Sequence, residues 1–139
     1  MAFHHFLVPT DYSSKSIRAA RTAIEMASPS GGRVMLLHVI QTIQDAGYDE
    51  FREFYDGLLA RARERMDAMI GELESDVPLE QHVVFGPPVG AIIGFAEEQQ
   101  VDLIVVGSHR INPGNQAEGF GTISYKVGVL APCPVLIVK

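Results

Sequence analysis

Asp-Leu-Ile-Val-Val-Gly, residues 102–107, is an apolar run in which polar and apolar residues do not alternate. Arg-Val-Met-Leu-Leu-His-Val-Ile, residues 33–40, has the same character. Continuous runs of Val, Ile and Leu are typical of strands that are buried on both faces, and the strands of parallel sheets are buried in this way. The two stretches therefore predict strands of a parallel sheet.

Three further apolar runs predict strands, and helical patterns separate all five. These runs are residues 6–8, with a start as early as Phe3, residues 82–85 and residues 134–139. Apolar residues at steps of three and four predict a helix after each of the first four strands. The four helices are one capped by Ser13 or Ser14 with Ile17, Ala20, Ala23, Ile24 and Ala27 inward, one over 51–73, one from about Pro88 to Gln100, and one from near Gly121 that buries Ile123, Val127 and Leu130. This alternation predicts an α/β fold, an open parallel sheet with right-handed crossovers and helices on both faces.

Length, charge and cysteine content exclude several classes of protein. A chain of 139 residues predicts one domain over 1–139. The net charge of −6, with no basic stripe, argues against binding of nucleic acid. The single cysteine, Cys133, cannot form an internal disulfide, which favours a reducing compartment. Because there is no signal-peptide pattern and no apolar run near the roughly 20 residues of a membrane helix, we expect a cytoplasmic protein without membrane contact.

Polar residues follow the first and fourth predicted strands. In an open sheet of strand order 3-2-1-4-5, the order reverses between these two strands, and ligands bind beyond the carboxyl ends of strands at such a reversal. The two strand ends are Val-Pro-Thr-Asp, residues 8–11, and Val-Gly-Ser-His, residues 106–109. With that strand order assumed, the sequence predicts a ligand crevice between them, and Gly107 would let a ligand approach the backbone closely.

Gly121 and Thr122 open the last predicted helix after a long polar loop. Free N–H groups and the aligned peptide dipoles at a helix start favour an anion, which makes Gly121, Thr122, Ile123 and Ser124 candidates for binding phosphate. Capping of the helix by one of the two hydroxyls is the alternative interpretation. Neither GxxxxGK[ST] nor GxGxxG occurs in the chain.

Three more residues in the predicted crevice have two interpretations each. Asp11 can accept hydrogen bonds from ribose hydroxyls, or it can form a turn or a helix cap. His109 and Arg110 can donate to phosphates, or they can be a solvated loop pair. His38 is interpreted as a satisfied sheet histidine and not as a metal ligand. No spacing typical of a catalytic nucleophile or a metal site is found, so neither is predicted.

Taken together, these residues resemble the universal stress protein family along nearly the whole chain. The resemblance rests on FLVPTDYSSKS (6–16), VMLLHVI (34–40), VVFGPPVGAIIGFAEEQQVDLIVVGSH (83–109) and GTISYKVGVLAPCPVLIVK (121–139). It implies a Rossmann-like, adenine nucleotide alpha hydrolase-like fold with five strands in the order 3-2-1-4-5. It also implies a role in the stress response and a homodimer joined through the last strands, here Val135, Leu136, Ile137 and Val138.

The family's ATP-binding members carry Gly, two residues, Gly, nine residues, Gly and then Ser or Thr. By position, the resemblance implies that Gly107 is the first glycine and that Gly121 and Thr122 end the pattern. It places Pro9, Thr10, Asp11 and Val106 at the adenosine, Val39 at the base, and Ile123 and Ser124 beside the phosphate turn. Two departures stand out: Arg110 replaces the second glycine, and the following spacer has ten residues.

The resemblance thus implies binding of ATP, ADP or AMP, with Mg or Mn held by the phosphates. Any hydrolysis would be slow, because the chain offers no identifiable general base or charge clamp. The alternative hypothesis is a stress protein that binds no nucleotide and acts as a dimer through protein–protein contacts. Arg110 and the longer loop favour this alternative.

Overall fold

The computed structural model describes residues 3–42, 51–108 and 122–139. Within them, five strands form one parallel sheet in the order β3-β2-β1-β4-β5. The strands are β1 His5–Pro9, β2 Arg33–Ile40, β3 Leu79–Phe85, β4 Leu103–Gly107 and β5 Val135–Val138. The helices are α1 Ser14–Ala27, α2 Arg52–Glu72, α3 Pro88–Glu98 and α4 Ile123–Leu130. The predicted fold class and strand order are confirmed.

The central strands are buried on both faces, as their continuous apolar sequences predicted. Successive side chains of a strand point to opposite faces of the sheet. On β1, Phe6 and Val8 therefore pack in a core with α1 and α2, whereas Leu7 packs in a second core with α3 and α4. Every residue of β4 is buried. The sheet thus lies between two helical layers, and the carboxyl ends of its strands share one edge.

The strand boundaries differ from the predicted runs by one residue at β1, β4 and β5 and by three residues at the start of β3. β3 begins at Leu79, three residues earlier than predicted, because it pairs with β2 from Val34 onward. β4 begins at Leu103, one residue late. Asp102 instead turns its carboxylate toward β1, where it accepts the backbone N–H groups of His4 at 3.0 Å and His5 at 3.1 Å.

The prediction that α4 buries Leu130 is wrong, since 60% of that residue is exposed. α4 is only eight residues long and ends at Leu130. Val127 is fully buried in the core, and Ile123 packs against the same core while partly buried. Leu130 lies three residues after Val127 and so fits the helical spacing, but the buried face of α4 ends before it.

Not every apolar residue at helical spacing in the segment 51–73 is buried. Tyr55, Met66 and Met69 are buried, but Phe51 and Phe54 are exposed. Phe51 precedes the helix as its N-cap residue and so lies outside the helical stripe. Phe54 is one position from Tyr55, about 100° around the helix. No helix in the described parts of the chain is both long enough and apolar enough to span a membrane.

Candidate functional site

A pocket of about 320 Å³ lies at the carboxyl ends of β1, β2 and β4. β1 and β4 are the strands between which the strand order reverses, which is where open α/β sheets bind ligands. Seven of the predicted site residues line it: Pro9, Thr10, Asp11, Val39, Val106, Gly107 and Ile123. Thr122 and Ser124 do not line it, and His109, Arg110 and Gly121 lie outside the described residues.

The Thr10 side chain organises the turn between β1 and α1. Its buried hydroxyl donates to the Ser16 hydroxyl at 2.8 Å and accepts the backbone N–H of Tyr12 at 2.9 Å. The Thr10 backbone N–H donates to the carbonyl of Leu37 on β2 at 2.8 Å. Its own carbonyl lies 2.8 Å from Nδ1 of His38, which confirms that His38 is a satisfied sheet histidine. Thr10 thus joins β1, β2 and the first turn of α1 beneath the pocket.

Asp11 forms a turn and also lines the pocket. Its Oδ1 accepts the Ser13 backbone N–H at 3.0 Å, and Ser13 in turn caps α1 by accepting the Ser16 backbone N–H at 3.3 Å. Burial acts to raise the pKa of Asp11, but hydrogen bonds from Ser13 and Ser16 outweigh it and hold the pKa below its ordinary value. The carboxylate is therefore ionised at neutral pH and can only accept hydrogen bonds. The turn interpretation is confirmed, and a ribose contact stays a prediction.

Gly107 is required by the packing of α1 against β4. A Cβ at this position would lie 2.8 Å from the carbonyl oxygen of Lys15 and 2.9 Å from its carbonyl carbon. Contacts of that length are not tolerated, and the clash is with backbone. The close approach predicted for a ligand is thus already made by the first turn of α1.

Apolar side chains from three elements form one part of the pocket wall. Leu37 and Val39 come from β2, Ile92 from α3, and Val106 from β4. An aromatic ring is well matched to such a wall, because ligand sites are mostly apolar with a few polar groups that fix orientation. The wall and the ionised Asp11 together can take a ligand with one flat apolar part and one hydroxylated part.

Several lining residues were not predicted as site residues from the sequence. They are Ser13, Lys15, Ser16, Leu37, His38, Pro88, Ile92 and Ser108. Among the described residues that line the pocket, Lys15 is the only lysine or arginine and Asp11 the only carboxylate. The position of Lys15 just after the Asp11 turn is the signal that could have identified it, because the first turn of a helix that follows a strand lies at the same edge of the sheet.

Thr122 caps α4. Its hydroxyl accepts the backbone N–H of Tyr125 at 3.4 Å and lies 3.4 Å from the hydroxyl of Ser124, which is itself buried. The capping interpretation of Thr122 is confirmed. Binding of phosphate by this helix start stays a prediction. Within residues 3–42, 51–108 and 122–139, no group of three His, Cys, Asp or Glu side chains could hold a metal ion.

Comparison with known proteins identifies the family. The model of the universal stress protein family matches residues 2–139. The universal stress protein YxiE of Bacillus subtilis is 32% identical, with 99% of each chain covered. Another relative, a universal stress protein of Thermus aquaticus, is 31% identical over 99% of each chain.

Solved structures show the same fold. Protein MJ0577 of Methanocaldococcus jannaschii is 30% identical and superposes with a TM-score of 0.83, covering 100% of this chain and 97% of its own. A universal stress protein in complex with cAMP is 24% identical, with a TM-score of 0.70 and coverage of 100% and 99%. One from Archaeoglobus fulgidus in complex with dAMP is 22% identical, with a TM-score of 0.63 and full coverage of both chains. The chain belongs to the universal stress protein family.

Proposed function

We propose that this protein binds an adenine nucleotide, ATP, ADP or AMP, in the pocket at the carboxyl ends of β1 and β4, and that it acts as a regulatory stress-response protein. The observation that carries the proposal is the pocket itself, which combines an apolar wall with the ionised Asp11 at the reversal of strand order. Two proteins of the same fold, solved in complex with cAMP and dAMP, support the choice of an adenine ligand.

The base and sugar would occupy the described part of the pocket. Adenine would pack against the apolar side chains that line the pocket, Val39 and Val106 among them. Pro9 and Thr10 carry the chain from β1 into the turn. Asp11 then accepts a hydrogen bond from a ribose hydroxyl with the carboxylate oxygen that Ser13 does not occupy.

The phosphates would extend toward Gly107 and the start of α4. Gly121, Thr122, Ile123 and Ser124 supply N–H groups and hydroxyls there, and His109 and Arg110 supply donors from the preceding loop. Mg or Mn, if bound, would be held mainly by the phosphates, because Asp11 is the only carboxylate among the described lining residues. Among the described lining residues, Asp11 accepts the Ser13 N–H and Nδ1 of His38 lies 2.8 Å from the Thr10 carbonyl, so we expect any hydrolysis to be slow.

Thermal and calorimetric binding measurements test the proposal. A ligand at a hundredfold excess over its dissociation constant raises the free energy of unfolding by about 2.7 kcal/mol. We expect such a rise with at least one of ATP, ADP and AMP. Asp11→Ala should weaken binding about tenfold or more, since hydrogen bonds to charged groups contribute roughly 1.5–3 kcal/mol. Glu98→Ala makes the same change of charge at an exposed site outside the pocket and should bind like the wild type.

The absence of any stabilisation or heat at millimolar ATP, ADP and AMP would refute nucleotide binding. Equal affinity of Asp11→Ala and Glu98→Ala would leave binding in place but reject the assigned sugar contact. Mass spectrometry of protein released under denaturing conditions provides a separate check. A stoichiometric adenine nucleotide there would argue against a protein that works without one.

A second candidate function, a dimer that acts through protein–protein contacts, is favoured by the exposed apolar surface of α4 and β5. Val129 is 64% exposed and Leu130 60% exposed, and Tyr125 and Ile137 are also exposed. Among the described strands, β5 is at the edge of the sheet and pairs only with β4, so its other side can pair with a further strand. These features support a homodimer joined through Val135, Leu136, Ile137 and Val138.

Sedimentation velocity tests that assembly. The wild-type protein should sediment as a dimer, and Ile137→Lys, which places a charge on the exposed side of β5, should sediment as a monomer. A monomeric wild type would reject the dimer, and a dimeric variant would reject β5 as its interface.

A further inference from the structure

Tyr12 has a backbone conformation that tyrosine rarely adopts. Its φ of 66° lies in the left-handed region, whereas the ordinary choice for such a position is glycine. A non-glycine residue held there costs on the order of 1 kcal/mol and persists only where surrounding contacts fix it. The contacts that fix Tyr12 therefore indicate what the strained turn is for.

Three contacts hold the Tyr12 side chain outside the pocket. Its hydroxyl donates to the carbonyl of Ala62 on α2 at 2.8 Å. The Arg65 guanidinium, one helical turn farther along α2, lies over the ring at 4.7 Å from its centroid. The ring also packs on His38 of β2, with the two centroids 4.6 Å apart. Two of the three contacts are to α2, and none of the described residues of α2 lines the pocket.

Tyr12 follows Thr10 and Asp11, and it precedes Ser13, the N-cap residue of α1. Its N–H donates to Thr10 Oγ1, and the next N–H, that of Ser13, donates to Asp11 Oδ1. Thr10 and Asp11 line the pocket, and Tyr12 does not. A rotation of the turn about Tyr12 would break both hydrogen bonds and redirect the Asp11 carboxylate.

We propose that Tyr12 is a positioning residue that anchors the turn between β1 and α1 to helix α2 and so sets the direction of the Asp11 carboxylate in the pocket. Ligand affinity then depends on α2, which contributes none of the described lining residues. The identity of the ligand rests on the proposed function. The anchoring of the turn does not.

Two substitutions separate the side-chain anchor from the backbone conformation. Tyr12→Phe removes the hydrogen bond to Ala62 and keeps the ring. Tyr12→Gly removes all three contacts, but glycine adopts a φ of 66° without strain. Val77→Ala is the control, because Val77 is buried before β3, at the end of the sheet opposite the pocket, and its truncation lowers stability without touching the turn. Binding of AMP and the NMR titration of the Asp11 carboxyl are measured in each variant.

We expect Tyr12→Phe to raise the Kd for AMP roughly two- to fivefold, because it removes one neutral hydrogen bond, and Tyr12→Gly to raise it about tenfold or more. In Tyr12→Gly the hydrogen bonds from Ser13 and Ser16 to Asp11 loosen, so the pKa of Asp11 should rise toward its ordinary value. In Val77→Ala both the Kd and the Asp11 titration should match the wild type. Loss of stability alone would not produce this contrast.

Wild-type affinity and an unchanged Asp11 titration in Tyr12→Gly would overturn the proposal. An equal rise of Kd in Val77→Ala would also overturn it, by showing that affinity follows overall stability. If the wild-type protein binds no AMP, the proposed function fails. The Asp11 titration then decides the anchor by itself, since it needs no ligand.

Discussion

Replacement of Gly107 by alanine should destabilise the fold through a single steric contact between β4 and α1. The new Cβ would lie 2.8 Å from the Lys15 carbonyl oxygen and 2.9 Å from its carbonyl carbon, and 3.1 Å from its Cβ. No side-chain rotation relieves a clash with backbone atoms. The first turn of α1 must therefore move away from the sheet.

The expected loss in the free energy of unfolding follows from the buried contacts that this movement of α1 disturbs. β4 is buried along its whole length, and Ala19, Ala20 and Ala23 of α1 are fully buried against the sheet. Overpacking in a well-packed interior typically costs 1–3 kcal/mol, so we expect Gly107→Ala to lower the free energy of unfolding by about 2 kcal/mol. The same movement displaces the Asp11 turn and should weaken any ligand bound there.

Urea unfolding followed by circular dichroism measures this loss. Gly94→Ala in α3 is the matched control, because a Cβ there meets no atom within 4 Å. Alanine is favoured over glycine in a helix interior, so the control should be more stable than the wild type by about 0.5–1 kcal/mol. A Gly107→Ala variant as stable as the wild type, alongside a Gly94→Ala variant that gains stability, would show that no steric clash arises at position 107.

Three further substitutions test other parts of the account. Burial raises the pKa of Tyr12 from 10.0 to about 12, so the neutral phenol is favoured in the folded state. Its contribution to stability is present below pH 10 and is lost as the pH rises toward 12. Phenolate absorbance and urea unfolding should show this loss in the wild type but not in Tyr12→Phe. Asp102→Ala removes the acceptor of the His4 and His5 N–H groups and should lower the free energy of unfolding in urea by about 1–2 kcal/mol. An unchanged urea midpoint would show that these two hydrogen bonds do not stabilise the fold. Met66→Ala truncates a fully buried side chain and should cost about 2–5 kcal/mol, and a cost under 1 kcal/mol would contradict its place in the core.

The sheet could be predicted because strands that are buried on both faces have continuous apolar sequences. Residues 34–37 and 103–106 are continuously apolar, since helices cover both faces of the strands to which they belong. Strand order could not be predicted from the residue pattern, because the pattern does not indicate which strands are neighbours. The predicted order came from the family resemblance. Burial on the helices was less predictable, because Leu130 and Phe54 are apolar residues at helical spacing and yet are exposed.

The pocket was predictable in position and less so in detail. Asp11 and Val106 follow from the rule that ligands bind at the carboxyl ends of strands, and both line the pocket. The role of Gly107 depends on Lys15, which is distant in sequence, so the glycine alone favoured a ligand contact. The left-handed backbone of Tyr12 and its bond to Ala62 likewise depend on tertiary contacts.

Titration of isotopically labelled protein with AMP, followed by amide chemical shifts, tests nucleotide binding at this pocket most directly. We expect saturable chemical-shift changes concentrated at Asp11, Val39 and 106–108, with little change at the opposite end of the sheet near Val77. Spectra that stay unchanged up to millimolar AMP, ADP and ATP, or shifts that gather away from the carboxyl ends of β1 and β4, would contradict nucleotide binding at this pocket.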